Sequence, residues 1–281
     1  MIKKLVRKLL PYALVLPAFL LILMIVAYPI VTTIMRSFST RDNQFTLENY
    51  TYYFTNENAL GDLMFTMYVV VMTVVLAIAF SYLLALYLRF SNSRLSKIVS
   101  ALYLLPRFIP ALVAVYAIIT VIRDSGLINR LSQLFGHNLK LGLMYQANGI
   151  IMVNLWFNIP FATMIIVSAL SGIPDSVIES ARDVGASKFA VFRSMILPLS
   201  LKDVMVAATF VFISNVGSFT TPYLMGPNRP QMLGTALFKQ FSSYADYEKA
   251  AALSVIIFLI CSAFAGVYIY VNLKEKDWEK G

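Results

Sequence analysis

The sequence predicts an all-α membrane protein with six transmembrane helices, and three observations support that prediction. Hydrophobic residues make up 59% of the 281-residue chain and charged residues only 13%, whereas soluble domains carry about 25% charged residues. The mean hydropathy is +0.74. Six apolar stretches are each long enough to cross the bilayer, which takes about 20 helical residues. The whole chain, residues 1–281, is therefore expected to form one transmembrane domain, with spans at residues 11–35, 63–88, 98–122, 148–170, 202–222 and 250–273.

The length of the first span distinguishes it from a signal peptide. Its apolar run extends from Leu9 to Met35 and is longer than the about 7–15 apolar residues of a secretory signal. We therefore expect an uncleaved helix, in which Pro11, Pro17 and Pro29 are tolerated because neighbouring helices can satisfy the freed backbone groups.

The segment from Ser37 to Gly61 follows the first span and is polar and rich in tyrosine. Tyrosine side chains suit the headgroup region of a bilayer. This composition predicts an external loop that contains a short interfacial helix.

The distribution of Lys and Arg predicts the orientation of the chain. With a cytoplasmic N-terminus, fourteen of these residues fall on the inside and eight on the outside. Cytoplasmic loops are enriched in Lys and Arg, so both termini are expected in the cytoplasm. Anionic lipid headgroups beside these loops then explain the net charge of +9, with no nucleic-acid partner.

The third predicted span carries one ionisable residue, Arg107, between Pro106 and Pro110. In a continuous helix, Arg107 would lie about 15 Å beyond Lys97, at about 1.5 Å per residue. A cation at that depth predicts a functional site, such as one for an anionic solute. Alternatively, Arg107 caps carbonyl groups freed by Pro110 or contacts a partner subunit.

The fourth and fifth predicted spans contain uncharged polar residues at membrane depth. Such groups usually face the interior of a helix bundle, where they either contact a solute or hold helices together. The fifth span also loses helix propensity from Gly217 to Pro222, where we expect the helix to break or unwind. Together with Arg107, the candidate pathway residues are Asn154, Asn158, Asn215, Ser218, Thr220 and Thr221.

The residue inventory argues against several function classes. No Gly precedes a Lys, so a Gly-Lys-Ser/Thr phosphate-binding loop is absent. One His and one Cys cannot build a zinc site, and they leave little basis for a Ser-His-acid triad. The apolar runs contain no Asp or Glu, whereas ion-coupled carriers usually place a carboxylate in the membrane. We therefore predict a passageway with no metal site and no energy source of its own, and not an enzyme.

One polar segment, "ESARDVGASKFAVFRSMILPLS" from Glu179 to Ser200, interrupts the apolar sequence. It resembles the signature of binding-protein-dependent ABC importer permeases, which is Glu-Ala-Ala, three residues, Gly, nine residues, Ile, one residue and Leu-Pro. Ser180 replaces the middle Ala and Met195 replaces Ile. The matching positions are Glu179, Ala181, Gly185, Leu197 and Pro198.

This resemblance implies a type I ABC importer permease fold in the bacterial cytoplasmic membrane, covering nearly the whole chain. It implies four kinds of partner: a second permease subunit, two ATPase subunits, an extracytoplasmic solute-binding protein and the lipid bilayer. ATP and Mg²⁺ would bind to the ATPase subunits, so this chain itself would bind no cofactor. Residues 174–199 would form a cytoplasmic coupling loop whose short helix lies in a groove of the ATPase. The coupling residues implied are Glu179, Ala181, Arg182, Asp183, Gly185, Ala186, Leu197 and Pro198.

The residue types of this segment fit that role. Ala181 and Gly185 are four apart, so in a helix they share one face and allow close backbone approach. Gly185 also permits a turn between two short helices. Arg182, Asp183 and Lys188 would supply polar contacts that set the register. The alternative is an interfacial amphipathic helix without a partner, as in a stand-alone channel or carrier.

The solute is indicated less directly. The segment "GSFTTPYLMGPNRPQMLGTALFKQF" resembles the polyamine-type branch of these permeases, which includes permeases for thiamine, ferric iron and phosphonates, more than the sugar branch. A cationic polyamine would prefer a carboxylate lining, which the apolar runs lack, whereas Arg107 suits an anionic solute such as a phosphonate or an acidic sugar. A polyamine-type or phosphonate-like solute is therefore favoured, with a sugar as the alternative.

Overall fold

The computed structural model describes residue 12 and residues 14–278, with side chains described as far as residue 270. The predicted start of the first span at residue 11 and the basic residues before it lie outside this part of the chain. The described residues form helices and one isolated β-bridge, Ser39 to Phe45, and no strand. Six helices in this part are long and apolar enough to cross a membrane, which confirms the predicted fold class.

Close contacts divide the chain into two units, and the first comprises the residues up to Asn56 together with Leu237–Phe258. Helix α1, Leu14–Ser37, contains a π-helical turn at Leu23–Ala27. Helix α2, Glu48–Thr55, is the short helix expected in the first external loop. Asn49 Nδ2 donates to the carbonyl groups of Ser37 and Ser39, at 3.1 and 3.0 Å, and so fixes α2 to the end of α1.

The second unit contains three long helices that pack together: α3, Glu57–Phe90; α7, Ala147–Ser171; and α9, Lys188–Val216. Fully buried alanines lie on all three, namely Ala77, Ala162 and Ala207, and small residues allow helices to approach closely. Hydrogen bonds add to this packing, because Ser81 Oγ donates to the Ile159 carbonyl at 3.0 Å.

The third predicted span, 98–122, is not one helix. The chain forms α4, Arg94–Leu102, then a 3₁₀ turn, Leu105–Phe108, and then α5, Ala111–Ile122. Proline has no N–H and forces the preceding residue towards extended backbone, which Ile109 adopts at φ −88° and ψ 126°. A tight turn joins α5 to α6, Leu127–Leu134, and the apolar stretch of this region is Ala111–Leu134.

The fifth predicted span, 202–222, is shifted. Helix α9 begins at Lys188, because hydrogen bonding continues the helix beyond the apolar sequence that hydropathy detects, through a π-helical turn at Phe192–Ile196. It ends at Val216, and the chain resumes as α10, Thr220–Met225. The break expected after Gly217 is therefore confirmed. The remaining helices are α8, Asp175–Asp183; α11, Leu233–Ser242; and α12, Tyr247–Trp278.

Candidate coupling site and pathway residues

The polar segment folds as two helices joined by a glycine turn. Helix α8 ends at Asp183, and Gly185 follows in the left-handed conformation at φ +84°. Gly185 N–H donates to the Arg182 carbonyl at 2.8 Å, and Ala186 N–H donates to the Ala181 carbonyl at 3.1 Å. This bond pair is a Schellman motif, in which glycine is favoured because it has no Cβ. Ser187 then caps α9 by accepting from the Ala190 N–H at 3.2 Å.

The apolar face of α8 packs against its own bundle. Ile178 and Ala181 are buried in one cluster with Val191 and Ile196 of α9. The expectation that Ala181 and Gly185 share one helical face is wrong, because α8 ends at Asp183 and Gly185 lies beyond it in the left-handed conformation. The expected turn between two short helices at Gly185 is present.

Arg89, at the end of α3, ties α8 to the long helices. Its Nη2 lies 2.6 Å from Asp175 Oδ1 in the first turn of α8. The same guanidinium donates to the Leu170 carbonyl at 3.3 Å and the Ile173 carbonyl at 3.4 Å. One side chain therefore joins α3, the end of α7 and the start of α8. Sequence reasoning counted Arg89 only as an inside charge, since nothing local indicates these partners.

The opposite face of this segment is exposed. Glu179, Arg182 and Asp183 point away from the core. Two large apolar side chains flank the turn, Val184 at 85% exposure and Phe189 at 69%. Sequence reasoning did not select either residue, although an apolar side chain beside a polar turn is a usable signal. Exposed apolar groups among charges are typical of a surface that another protein covers.

The remaining predicted coupling residues take supporting positions. Ala186 and Leu197 are partly buried against the same cluster. Pro198 is exposed within α9 and has no N–H to donate to the preceding turn of the helix. A π-helical turn, Phe192–Ile196, lies just before it, as is common where the regular hydrogen-bond pattern of a helix is interrupted. Of the predicted loop 174–199, only the turn from Val184 to Ser187 and Pro174 are outside helices.

The three predicted asparagines come together in the interior. Asn154, Asn158 and Asn215 are 3%, 8% and 3% exposed. Asn158 Nδ2 donates to the Asn154 carbonyl at 2.7 Å and lies 3.4 Å from Asn215 Oδ1, which links α7 to α9. Asn215 Nδ2 donates to the Val211 carbonyl, whereas Asn154 Nδ2 is buried with no hydrogen-bond partner among the described residues.

The hydroxyl candidates lie at the helix break. Ser218 occupies the gap between α9 and α10, and its N–H donates to the Asn215 carbonyl at 3.1 Å. Thr220 is partly buried at the start of α10, and Thr221 is 4% exposed. In the sequence, these three residues follow within six positions of Asn215, which is a member of the asparagine cluster.

Arg107 does not lie deep in a continuous helix, because the depth counted from Lys97 assumed a helix that the prolines interrupt. It occupies the exposed 3₁₀ turn, and its Cζ lies 4.9 Å from the Phe161 ring centroid. A cation above an aromatic face is stabilised electrostatically. Phe161 therefore provides Arg107 with a partner inside the chain.

The transmembrane helices do contain carboxylates. Helix α3 begins six residues before the predicted span, and Asp62 is 8% exposed within it. Asp62 Oδ1 accepts from the Gln231 N–H at 2.7 Å. Asp203 is partly buried near the middle of α9. Both carboxylates lie just outside the apolar runs, which contain no Asp or Glu, and they are part of these helices because helix hydrogen bonding extends past the uncharged sequence.

Comparison with known proteins gives a consistent assignment. The family described as "binding-protein-dependent transport system inner membrane component" matches residues 77–276. The chain is 25% identical over 259 residues to the spermidine/putrescine transport system permease protein PotB of Escherichia coli (strain K12), covering 88% of this chain and 92% of that protein. It is 30% identical over 155 residues to the thiamine transport system permease protein ThiP of Brucella suis biovar 1 (strain 1330), covering 55% of this chain and 28% of that one.

Two solved structures share the fold. A chain of a bacterial ABC transporter involved in the import of the acidic polysaccharide alginate aligns with a TM-score of 0.85 at 18% identity, covering 97% of this chain and 98% of that chain. A chain of the methionine ABC transporter MetNI aligns with a TM-score of 0.55 at 22% identity, covering 79% and 98%.

Proposed function

Because the chain belongs to the family of binding-protein-dependent transport system inner membrane components, we propose that its exposed turn at Val184–Phe189 is the surface on which a separate ATPase subunit docks. As a family member, the chain is a multi-pass inner-membrane permease component of an ABC importer. The proposal concerns its partners, its coupling residues and its solute.

The docking proposal rests on one observation: one side of the segment is buried in the core, and the other side exposes apolar and charged side chains. Its inner side, Ile178 and Ala181, is fixed in the core, while Val184 and Phe189 extend outward beside the charges of Glu179 and Arg182. Exposed apolar side chains surrounded by charged residues match the arrangement of a protein interface, which has an apolar centre and a polar rim. ATP and Mg²⁺ belong to the ATPase in this scheme.

Helix α9 is the proposed route from the docking turn into the membrane. It continues from Lys188 to Val216, about 43 Å at 1.5 Å per residue. Closure of an ATPase pair would displace the docking turn, and a continuous helix would carry that displacement to Asn215 and the break at Gly217. Arg89 would make α3 and α7 follow α8. A second permease subunit would complete the pathway, and an extracytoplasmic binding protein would deliver the solute.

We further propose a small organic cation of the polyamine class as the solute. Support comes from the relative named for spermidine and putrescine, which aligns along most of both chains. An anionic, phosphonate-like solute stays the alternative and depends on Arg107. Uptake of radiolabelled putrescine by cells expressing the whole importer, competed by unlabelled spermidine, thiamine, phosphonate or maltose, separates these classes.

Co-purification tests the docking proposal without removing core residues. The tagged chain is extracted in mild detergent with its co-expressed partners, as wild type, Phe189→Ser and Phe135→Ser. Phe135 is a suitable control because it is 80% exposed and lies between the third and fourth predicted spans, on the side that the charge distribution predicts to be external. We expect Phe189→Ser to lose most of the ATPase and Phe135→Ser to retain it. Isolation of the wild-type chain alone and well folded would favour a stand-alone channel or carrier.

A further inference from the structure

The segment after α10 is fixed to α3 by two buried side chains. Asp62 Oδ1 accepts from the Gln231 N–H at 2.7 Å, and Thr66 Oγ1 accepts from the Leu233 N–H at 2.9 Å. Asp62 and Thr66 are four residues apart and therefore lie on one face of α3. Thr66 is fully buried. These two bonds orient the chain just before α11.

The same segment packs closely against the break between α9 and α10. Gly234 lies so close to this break that a Cβ atom added to it would stand 2.7 Å from the Gly217 carbonyl oxygen and closer still to that of Ser218. Met232 and Leu233 beside it are almost fully buried. Only glycine permits this approach, so a displacement of Gly234 towards the break requires the backbone at Gly217 and Ser218 to move.

The other end of the segment is exposed to solvent. Asn228, Arg229 and Pro230 are exposed, on the side that the charge distribution predicts to be external. The segment from Gly226 to Gly234 thus has an exposed polar tip and a buried base. The base rests on α3 at one side and on the helix break at the other.

We infer that Asp62 and Thr66 are positioning residues that hold this segment as a lever between the external face and the break at Gly217. The partner that moves the lever is the extracytoplasmic binding protein, so the inference rests on the proposed function. Contact at Asn228–Pro230 shifts the base, and the base shifts the carbonyl groups of Gly217 and Ser218. The docking turn at Val184–Phe189 acts on the same break through α9, so signals from both membrane faces meet there.

Two variants of one residue test the lever. Thr66→Val keeps the shape of the side chain and removes the acceptor, whereas Thr66→Ser keeps the acceptor. The first measurement is hydrogen–deuterium exchange of the peptide covering Gln231–Leu233, in wild-type and variant importer in lipid nanodiscs. We expect exchange about fivefold to tenfold faster in Thr66→Val, which corresponds to the loss of one hydrogen bond, and unchanged exchange in Thr66→Ser.

The second measurement is the ratio of ATP hydrolysis with and without loaded binding protein in the same samples. Thr66→Val and Gly234→Ala are expected to lower this ratio severalfold while the ATPase still co-purifies, and Thr66→Ser is expected to keep it. Unchanged exchange in Thr66→Val, or faster exchange with an unchanged ratio, would overturn the inference. If wild-type chain binds no ATPase, the proposed function fails, and the inference fails with it even where the exchange result holds.

Discussion

Arg89 Nη2 and Asp175 Oδ1 lie 2.6 Å apart and join the last turn of α3 to the first turn of the candidate coupling helix. Their side chains are 21% and 69% exposed. A pair so exposed contributes about 0–1 kcal/mol to stability. The contact fixes the relative position of these elements, because the same guanidinium also donates to the carbonyl groups of Leu170, in the last turn of α7, and Ile173, just after it.

Replacement of Arg89 is therefore expected to uncouple transport more than it destabilises the protein. Arg89→Lys keeps the charge but loses the branched guanidinium that contacts α7 and α8 at the same time, so we expect uptake to fall severalfold. Arg89→Gln also removes the charge, and we expect a larger fall. The melting temperature should change by only a few degrees, as a loss of about 1 kcal/mol predicts. Lys249→Gln, which removes the 2.9 Å ion pair with Asp246, serves as the control. Normal uptake by Arg89→Gln would contradict this role.

Gly185→Asp is expected to abolish transport and leave the protein inserted and folded. Among the described residues, no atom lies within 4 Å of the position that a Cβ would take, so crowding within this part of the chain does not explain the loss. The new carboxylate would instead stand at the docking turn. Gly185→Asn is the matched control, because Asn has the same shape without the charge and both tolerate positive φ. Membrane fractionation and uptake assays check the result, which normal uptake by Gly185→Asp would refute.

Asn154 and Asn158 are expected to respond differently to replacement by leucine. Asn158 holds two hydrogen bonds, and its loss should lower the free energy of unfolding by about 1 kcal/mol. Asn154 Nδ2 has no partner among the described residues, so Asn154→Leu should leave the melting temperature unchanged or raised. If Asn154 lines the pathway, uptake should nevertheless fall. Normal uptake by a stable Asn154→Leu protein would remove it from the pathway.

Arg107→Gln distinguishes the two classes of solute. Its guanidinium stacks on Phe161 in an exposed turn, a contact of about 0.5–1 kcal/mol. For a polyamine-class solute, loss of this cation should not raise KM, because like charges repel and a cationic solute gains no binding energy from Arg107. Phe161→Leu controls for loss of the stacking alone. A large rise in KM in Arg107→Gln, absent from Phe161→Leu, would favour the anionic solute.

Features encoded in local sequence could be predicted. The apolar runs predicted six spans, and the residues from Gly217 to Pro222 indicated the helix break. The spacing of Glu179, Gly185 and Pro198 carried the resemblance that marks the candidate coupling segment. Each of these depends on residues close together in the chain. Helix ends were less accurate, because hydropathy does not report where backbone hydrogen bonding stops, as at Lys188.

Features that depend on distant residues could not be predicted. Arg89 meets Asp175 across more than eighty positions, and Asp62 meets Gln231 across still more. Neither pair has a local pattern. The third span was mispredicted for another reason, since composition outweighed the two prolines that bracket Arg107.

The central claim is that the turn at Val184 touches an ATPase subunit, and site-specific photo-crosslinking tests it most directly. A photoreactive residue is placed at Val184 in the assembled importer. The control position is Leu139, which is half-exposed and lies between the third and fourth predicted spans, on the predicted external side. The account predicts an adduct with the ATPase from position 184 and none from position 139. Absence of that adduct from position 184 in a complex that hydrolyses ATP, or equal adducts from both positions, would contradict it.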